Sequence, residues 1–328
     1  MKCVVTGGSG FIGSYIADRL AGEGHFVVIY DINRPMTELP ENTIFVQGDT
    51  KYRETLDEVI DGAEEVYDCA GLLGTSELNL MKTKAIETNI LGTVNVLESC
   101  RVHGVKNFFH PTKPFPGIDD ILQGRGYERA WLNTYSVTKM AAEMFCLMYQ
   151  KENPDMNITV LKWMNGYGGR QHLYPIRKMI PLFVVQALHD RDITVFGSGN
   201  QTVDLIYGED IAKYAIQATR KLGRVPRVMD FGSGLPMSVK DAARYIIDLA
   251  CSKSKIVNLP MRNGEPKDTR IVADLVALKT ELGVQELELT PLEIGMTKTI
   301  EFYKKAPEDE VCKALEHYAI EWGGRNGE

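Results

Sequence analysis

Up to about residue 163 the chain alternates short apolar runs with longer stretches of helical periodicity. Strand-like runs fall at 2–5, 26–31, 43–47, 65–69, 106–110 and 158–163. The helical patterns between them are longest over about 83–103 and 135–151. Strands separated by helix-length segments predict right-handed crossovers and a parallel sheet. After residue 164 the pattern changes. Loops rich in Gly and Pro, at 164–178, 196–202, 232–237 and 259–268, separate shorter elements. Ser238-Val239-Lys240-Asp241 and Thr290-Pro291-Leu292-Glu293 both fit a capping box, the second with Pro at the first helical position. The expected architecture is α/β: a doubly wound parallel sheet over residues 1–163, then a smaller α/β lobe over 164–328 set at the C-terminal edge of that sheet. Strands at 203–207 and 227–231 are placed to return to the main sheet.

Composition narrows the partners. The 328 residues are 44% hydrophobic and 25% charged, with a net charge of −7. No Lys/Arg-dense block is present, which argues against nucleic acid. An acidic protein can still hold a local basic pocket for an anionic substrate. The most apolar window, Met179 to Leu188, is broken by Pro181 and Gln186, so no membrane span is expected. The first core strand begins at residue 2, so no signal peptide is expected either. The six cysteines (3, 69, 100, 146, 251 and 312) show no CxxC pair, and most sit in apolar runs. They read as reduced core residues of a cytoplasmic protein. The six histidines form no HxxxH or HExxH cluster, so no metal site is expected.

The chemistry starts at the N-terminus. Lys2-Cys3-Val4-Val5 runs directly into Thr6-Gly7-Gly8-Ser9-Gly10-Phe11-Ile12-Gly13, and a helical pattern follows at Ile12, Ile16 and Leu20. A second strand from Phe26 to Tyr30 ends on Asp31, 18 residues after Gly13. This order of strand, Gly turn, helix, strand and acid suits a dinucleotide. The glycines let the backbone approach a pyrophosphate, and the helix aims its N-terminal N–H groups at it. Asp31 can accept from an adenosine ribose and repels a 2′-phosphate, so NAD is expected rather than NADP. Arg34, beside Asn33, is the counter-signal. Tyr135 and Lys139 lie one turn apart at the start of the longest middle helix. An ammonium there can lower the phenol pKa and hold a nicotinamide ribose, making Tyr135 a base for an alcohol under oxidation.

Together these residues resemble the extended short-chain dehydrogenase/reductase family, in its nucleotide-sugar epimerase and dehydratase branch, which has a Rossmann fold. Thr6 to Gly13 looks like the family's TGxxGxxG, in which Gly7, Gly10, Phe11, Ile12 and Gly13 stand at the cofactor. Gly48-Asp49, followed by Thr50, resembles its adenine-contacting Gly-Asp. Cys69-Ala70-Gly71 stands where the family has Ala-Ala or Ala-Gly beside the cofactor. Asn89-Ile90-Leu91-Gly92-Thr93-Val94-Asn95-Val96-Leu97 resembles its N-x-x-G-T-x-N-x-L helix. Lys162-Trp163-Met164-Asn165-Gly166-Tyr167-Gly168 is similar to its R-Y-x-N-x-Y-G, which implies Trp163 at the cofactor and Asn165 at the nucleotide diphosphate. Phe196 to Gln201 and Asp204 to Tyr207 resemble the later G-x-G-x-Q-x-R-D segment.

Three departures bear on function. In place of the family's Ser-Ser or Ser-Thr after the fifth strand stands His110-Pro111-Thr112-Lys113. Ungapped, Lys113 occupies the catalytic hydroxyl position. Either Thr112 serves after a one-residue shift, or Lys113 polarises the reacting oxygen or contacts a substrate carboxylate or phosphate. The dehydratases' Asp-Glu pair is replaced by Pro114-Phe115. The Arg expected before Asp204 is Val203, which leaves Arg262 and Arg170 as phosphate-binding candidates. The resemblance implies an NAD-dependent nucleotide-sugar epimerase. The alternatives are a dehydratase, decarboxylase or 4-ketoreductase on the same substrates, and a non-catalytic NAD-binding sensor or scaffold. It also implies a homodimer packed through 89–103 and 135–151.

Overall fold

A computed structural model describes residues 1–115, 123, 132–221, 227–262 and 269–323. Its strands are β1 (Lys2–Thr6), β2 (Phe26–Asp31), β3 (Thr43–Gln47), β4 (Glu65–Asp68), β5 (Asn107–Thr112), β6 (Asn157–Trp163), β7 (Asn165–Tyr167), β8 (Ile193–Phe196), β9 (Thr202–Tyr207), β10 (Arg227–Phe231), β11 (Pro236–Ser238) and β12 (Ile256–Leu259). Seven of them form the main sheet in the order β10-β6-β5-β4-β1-β2-β3. Every pairing in it is parallel.

A parallel sheet is covered on both faces, so its strands are apolar throughout rather than alternating. On one face Val5, Ile29, Phe109 and Leu161 pack with Ile16 and Leu20 of α1 (Phe11–Gly22) and with Ile211 and Ala215 of the helix Gly208–Lys221. On the other, Val4, Val66, Phe108 and Val160 pack with Leu56 and Ile60 of α2 (Arg53–Ile60), with Leu97 of the helix Thr93–Val102, and with Cys146 of the helix Thr134–Glu152. Each such side chain, fully buried, contributes roughly 1.5–3 kcal/mol. The strand order reverses between β1 and β4, and a cleft opens at their carboxyl ends, as expected at a switch point.

The smaller lobe has its own core around Phe183, Val185, Ile246, Met296 and Tyr303. It carries a three-stranded sheet, β11-β9-β7, and the pair β12-β8. The expected return of 227–231 occurs, because β10 adds to β6. The expected return of 203–207 does not, because β9 lies between β7 and β11. The reason is Asp204. Its buried carboxylate accepts from Ser233 N–H (2.6 Å), Gly234 N–H (3.0 Å) and Ala273 N–H (3.0 Å), tying β9 to two distant turns. The lobes also interleave along the chain: the helix Gly208–Lys221, β10, and Leu278 and Leu282 all belong with the first core.

Two local expectations need correction. Ser238 caps its helix as expected, accepting from Asp241 N–H. Thr290 does not cap the helix that follows it. Its hydroxyl and its N–H both go to Asp210, and that helix runs Leu292–Tyr303. Of the cysteines, Cys3, Cys100 and Cys146 are buried, Cys69 is half-buried, and Cys251 and Cys312 are exposed rather than in the core. Among the described residues no helix is long and apolar enough to cross a membrane.

Candidate active site

The Gly turn is built for close approach. Gly7 has φ +64°, and a Cβ there would lie 2.6 Å from the Ala70 backbone nitrogen. A Cβ on Gly13 would lie 2.3 Å from the Gly7 carbonyl oxygen. Gly10 starts α1 with no side-chain cap, so no side chain competes with a pyrophosphate for the first N–H groups. Asp31 ends β2 with its two oxygens accepting from Ser9 N–H (3.0 Å) and Asn33 N–H (2.9 Å). Burial raises its pKa, and those N–H groups oppose the shift. Arg34 lies over the Phe45 ring. Asp49 accepts from Lys51 N–H, and Asn95 ties down the carbonyls of Thr50 and Lys51. These features fit a dinucleotide bound along the strand ends.

A cavity of about 440 Å³ continues from the Gly turn. Gly7, Gly10, Phe11, Ile12, Gly13, Cys69, Ala70 and Gly71 line one side. Thr112, Lys113, Tyr135, Lys139 and Trp163 line the other, and Asn165, Arg177, Lys178 and Arg262 line the smaller lobe's face. Asn89 lies beneath this wall. Its side chain bonds both backbone groups of Leu72 and the Thr138 hydroxyl, bracing the loop after β4.

Asn133 caps the helix Thr134–Glu152 by accepting from Ser136 N–H at 2.9 Å, which fixes Tyr135 and Lys139 at the cleft. Burial pushes the Tyr135 phenol up. The Lys139 ammonium is 3.1 Å from His110 Nε2, and His110 Nδ1 is 3.0 Å from Asp68 Oδ2. Burial lowers the Lys139 pKa, with Asp68 opposing. The cation over the Tyr135 ring is Lys113, 5.8 Å from its centroid, and it donates to Ser136 Oγ at 2.9 Å. Thr112 donates instead to Glu143 at 3.2 Å, and Glu143 also meets Lys162 at 3.3 Å.

Arg170 does not join this cleft. Its guanidinium pairs with Asp18 at 2.6 Å and stacks over Tyr15. Arg262 does join it, beside Phe196, whose ring also carries Arg177. The Asn263-Gly264-Glu265 that follows lies outside the described residues. A further cavity of about 170 Å³ shares Asn165, Arg177, Met179, Arg262 and Ile271 with the first and reaches Val203. Arg177, Lys178, His110 and Asp68 were missed by sequence reasoning. Arg177 and Lys178 sit in an aperiodic loop, and His110 and Asp68 sit inside strands. Burial lowers Lys178 to about 8. Among the described residues, the main cavity is lined by five cationic side chains and no carboxylate.

This fold and Gly turn define a dinucleotide-binding α/β protein. The chain matches the model of the NAD dependent epimerase/dehydratase family over residues 3–232 and belongs to that family; its cofactor is NAD. It is 28% identical over 324 residues to a UDP-N-acetyl-alpha-D-glucosaminuronate decarboxylase of Bacillus cytotoxicus, covering 94% of this chain and 99% of that one. It is 26% identical to a dTDP-glucose 4,6-dehydratase of Streptomyces niveus, over 93% of each chain. The solved UDP-glucuronic acid 4-epimerase of Bacillus cereus, in complex with UDP-glucuronic acid and NAD, superposes with a TM-score of 0.80. It has 25% identity and covers 93% of this chain and 99% of that one.

Proposed function

We propose that this protein is an NAD-dependent epimerase of a nucleotide-diphosphate sugar. The observation that carries this reading is a cleft with Tyr135 at one end, cations along its length and no carboxylate among its described lining residues. The diphosphate lies against Arg262 and Arg177, with Asn165 beside them. Asn165 Oδ1 is buried and has no hydrogen-bond partner among the described residues, so it can accept from a substrate hydroxyl or N–H, while its Nδ2 is the group able to donate to a phosphate oxygen. Tyr135 takes the proton from a sugar hydroxyl, and Lys113 stabilises the oxygen as charge develops on it. NAD bound here would supply a hydride acceptor for that carbon, and a donor to its opposite face once the sugar has turned. The Gly turn holds the pyrophosphate, Asp31 the adenosine ribose and Lys139 the nicotinamide ribose. Reversal of the proton transfer at Tyr135 completes the cycle with no net redox.

Water elimination has less support, because a dehydratase needs an acid–base pair where this chain has Pro114-Phe115. Decarboxylation is the second reading. The Lys113 ammonium beside the reacting oxygen would stabilise the enolate left when a β-keto acid loses carbon dioxide. The chain also forms a homodimer in this reading. Ile86, Leu91 and Val102 on one helical stretch, and Val137, Met144 and Met148 on the helix Thr134–Glu152, are exposed apolar residues in want of cover. The exposed, unpaired Cys251 and Cys312 suit a reducing cytoplasm.

The test is product analysis by NMR with a panel of nucleotide sugars and sugar acids. Epimer formation without carbon dioxide or accumulated NADH is expected. Release of carbon dioxide moves the reading to the decarboxylase, and net NADH turnover moves it to the reductase. Tyr135→Phe should lose at least about 10²-fold in turnover while NAD affinity and Tm barely change. Near-normal turnover would assign the base elsewhere.

A further inference from the structure

A buried polar chain runs beneath the cleft to Lys139, and its other members take no part in the steps above. Thr6 on β1 donates to Asp68 Oδ1 at 2.7 Å. Asp68 on β4 meets His110 on β5, and His110 meets Lys139. His110 is 0% exposed and Asp68 1%. Such a chain inside a core is costly unless every member is satisfied. We propose that Asp68 and His110 are positioning residues for Lys139: a fixed-tautomer relay that aims its ammonium at the cleft and keeps it charged.

The geometry fixes the proton positions. An ammonium can only donate, so His110 Nε2 must accept from Lys139. A carboxylate can only accept, so the ring proton sits on Nδ1 and points at Asp68. Both ends demand the same neutral tautomer. One Lys139 hydrogen is thereby committed below, leaving two for the cleft that Lys139 lines. The charge of Asp68 reaches Lys139 through the polarised ring. The other groups acting on Lys139 are Glu143 and the Cys69 and Cys146 thiols, and Thr6 acts on Asp68. Burial disfavours charge on both His110 and Lys139, and the ammonium beside it adds to the penalty on the imidazolium. The single proton therefore stays on Lys139.

This inference rests on Lys139 holding the nicotinamide ribose. The first measurement is nitrogen-15 NMR of histidine-labelled protein, with His110→Gln to assign the signal among the six histidines. A neutral Nδ1–H ring between pH 8 and pH 6 is expected. An imidazolium, or the Nε2–H tautomer, overturns the relay. The second is NAD titration by calorimetry. His110→Phe removes the acceptor and should weaken NAD at least about tenfold, the size of one charge-assisted hydrogen bond. His110→Gln can accept and donate at the two ends and should stay within about threefold of wild type. Asp68→Asn keeps an acceptor but removes the charge, so Lys139 loses its proton at lower pH. Its NAD defect should therefore be larger at pH 9 than at pH 7. Equal defects for Phe and Gln, or a pH-independent defect for Asp68→Asn, reduce the pair to a structural role and overturn the proposal. Lys139→Met should bind NAD at least as weakly as His110→Phe; wild-type affinity would leave the relay nothing to position. No sugar enters either measurement, so failure of the epimerase reading leaves both readouts intact.

Discussion

In the proposed reaction Lys113 sets a cation beside Tyr135, and the consequence can be worked from its position. It is 8% exposed, and its ammonium lies 5.8 Å from the Tyr135 ring centroid. Taking that as the charge separation, with an effective dielectric constant of about 20, its attraction for a tyrosinate is about 3 kcal/mol. That is worth about two pKa units of the phenol. Burial pushes this phenol up, and the cation is expected to oppose that shift. Lys113→Met keeps the packed stem and removes the charge. Tyr135 acts as a base when deprotonated, so activity rises with pH through its pKa, and losing a cation moves that limb to higher pH. The expected result is a loss of about 10²-fold in kcat/KM at pH 7 that narrows toward the alkaline end of the range. The assay is kcat/KM from pH 6 to 10 on an accepted nucleotide sugar. Deuterium at the oxidised carbon verifies that chemistry limits the rate. A loss of the same size at every pH would mean that Lys113 positions the substrate without tuning the base. No loss would remove it from the mechanism.

Three further outcomes are expected. NAD should bind much more tightly than NADP by calorimetry, because the Asp31 carboxylate, with both oxygens held by backbone N–H groups, opposes a 2′-phosphate; equal affinities would show Arg34 reaching that phosphate instead. Arg262→Ala should raise the substrate KM about 10- to 100-fold with NAD binding intact, the size of a charge-assisted contact, and Val203→Arg should tighten a diphosphate substrate; an unchanged KM for Arg262→Ala would argue against a diphosphate in the cleft. Acid stability should depend on His110, whose pKa is lowered to about 4 by burial and the Lys139 charge, so that between 6.5 and 4 the unfolded chain binds a proton that the folded chain refuses. Stability should fall through that window by up to about 3 kcal/mol, and thermal melts of His110→Phe should have a shallower slope than wild type.

What was legible in the chain was local. The Gly turn, the acid at the end of β2 and the Tyr135/Lys139 spacing are set by strand and helix periods, which neighbouring residues carry by themselves. What was not legible depended on polar partners far along the chain. Thr202–Tyr207 has an apolar pattern that suits either sheet. It joins β7 and β11 because Asp204 collects N–H groups from residues 233, 234 and 273. Thr290 had the spacing of a cap and was captured by Asp210, 80 positions away. Arg170 had the look of a phosphate ligand and was captured by Asp18. In each case a polar side chain in the interior, or at its edge, took the partner the tertiary fold offered, because leaving it unsatisfied is costly.

The same logic bears on Thr112 and Lys113, between which the chain alone left the choice open. A hydroxyl at Thr112 serves a substrate only if nothing nearer claims it. Glu143, one helical turn beyond Lys139, is buried against Lys162, and its carboxylate claims that hydroxyl. The claim is strong because burial raises the carboxyl pKa, while the Lys162 ammonium and the Thr112 hydroxyl both favour its charged form. Thr112 thus ties β5 to the helix Thr134–Glu152, and the ammonium over the Tyr135 ring is that of Lys113. Lys113 in turn is aimed by Ser136, the residue after the base, through a 2.9 Å bond. In the proposed reaction the Lys113 cation acts on the base and the oxygen together, so Lys113→Ser should supply a neutral donor without restoring the low-pH limb of the rate profile.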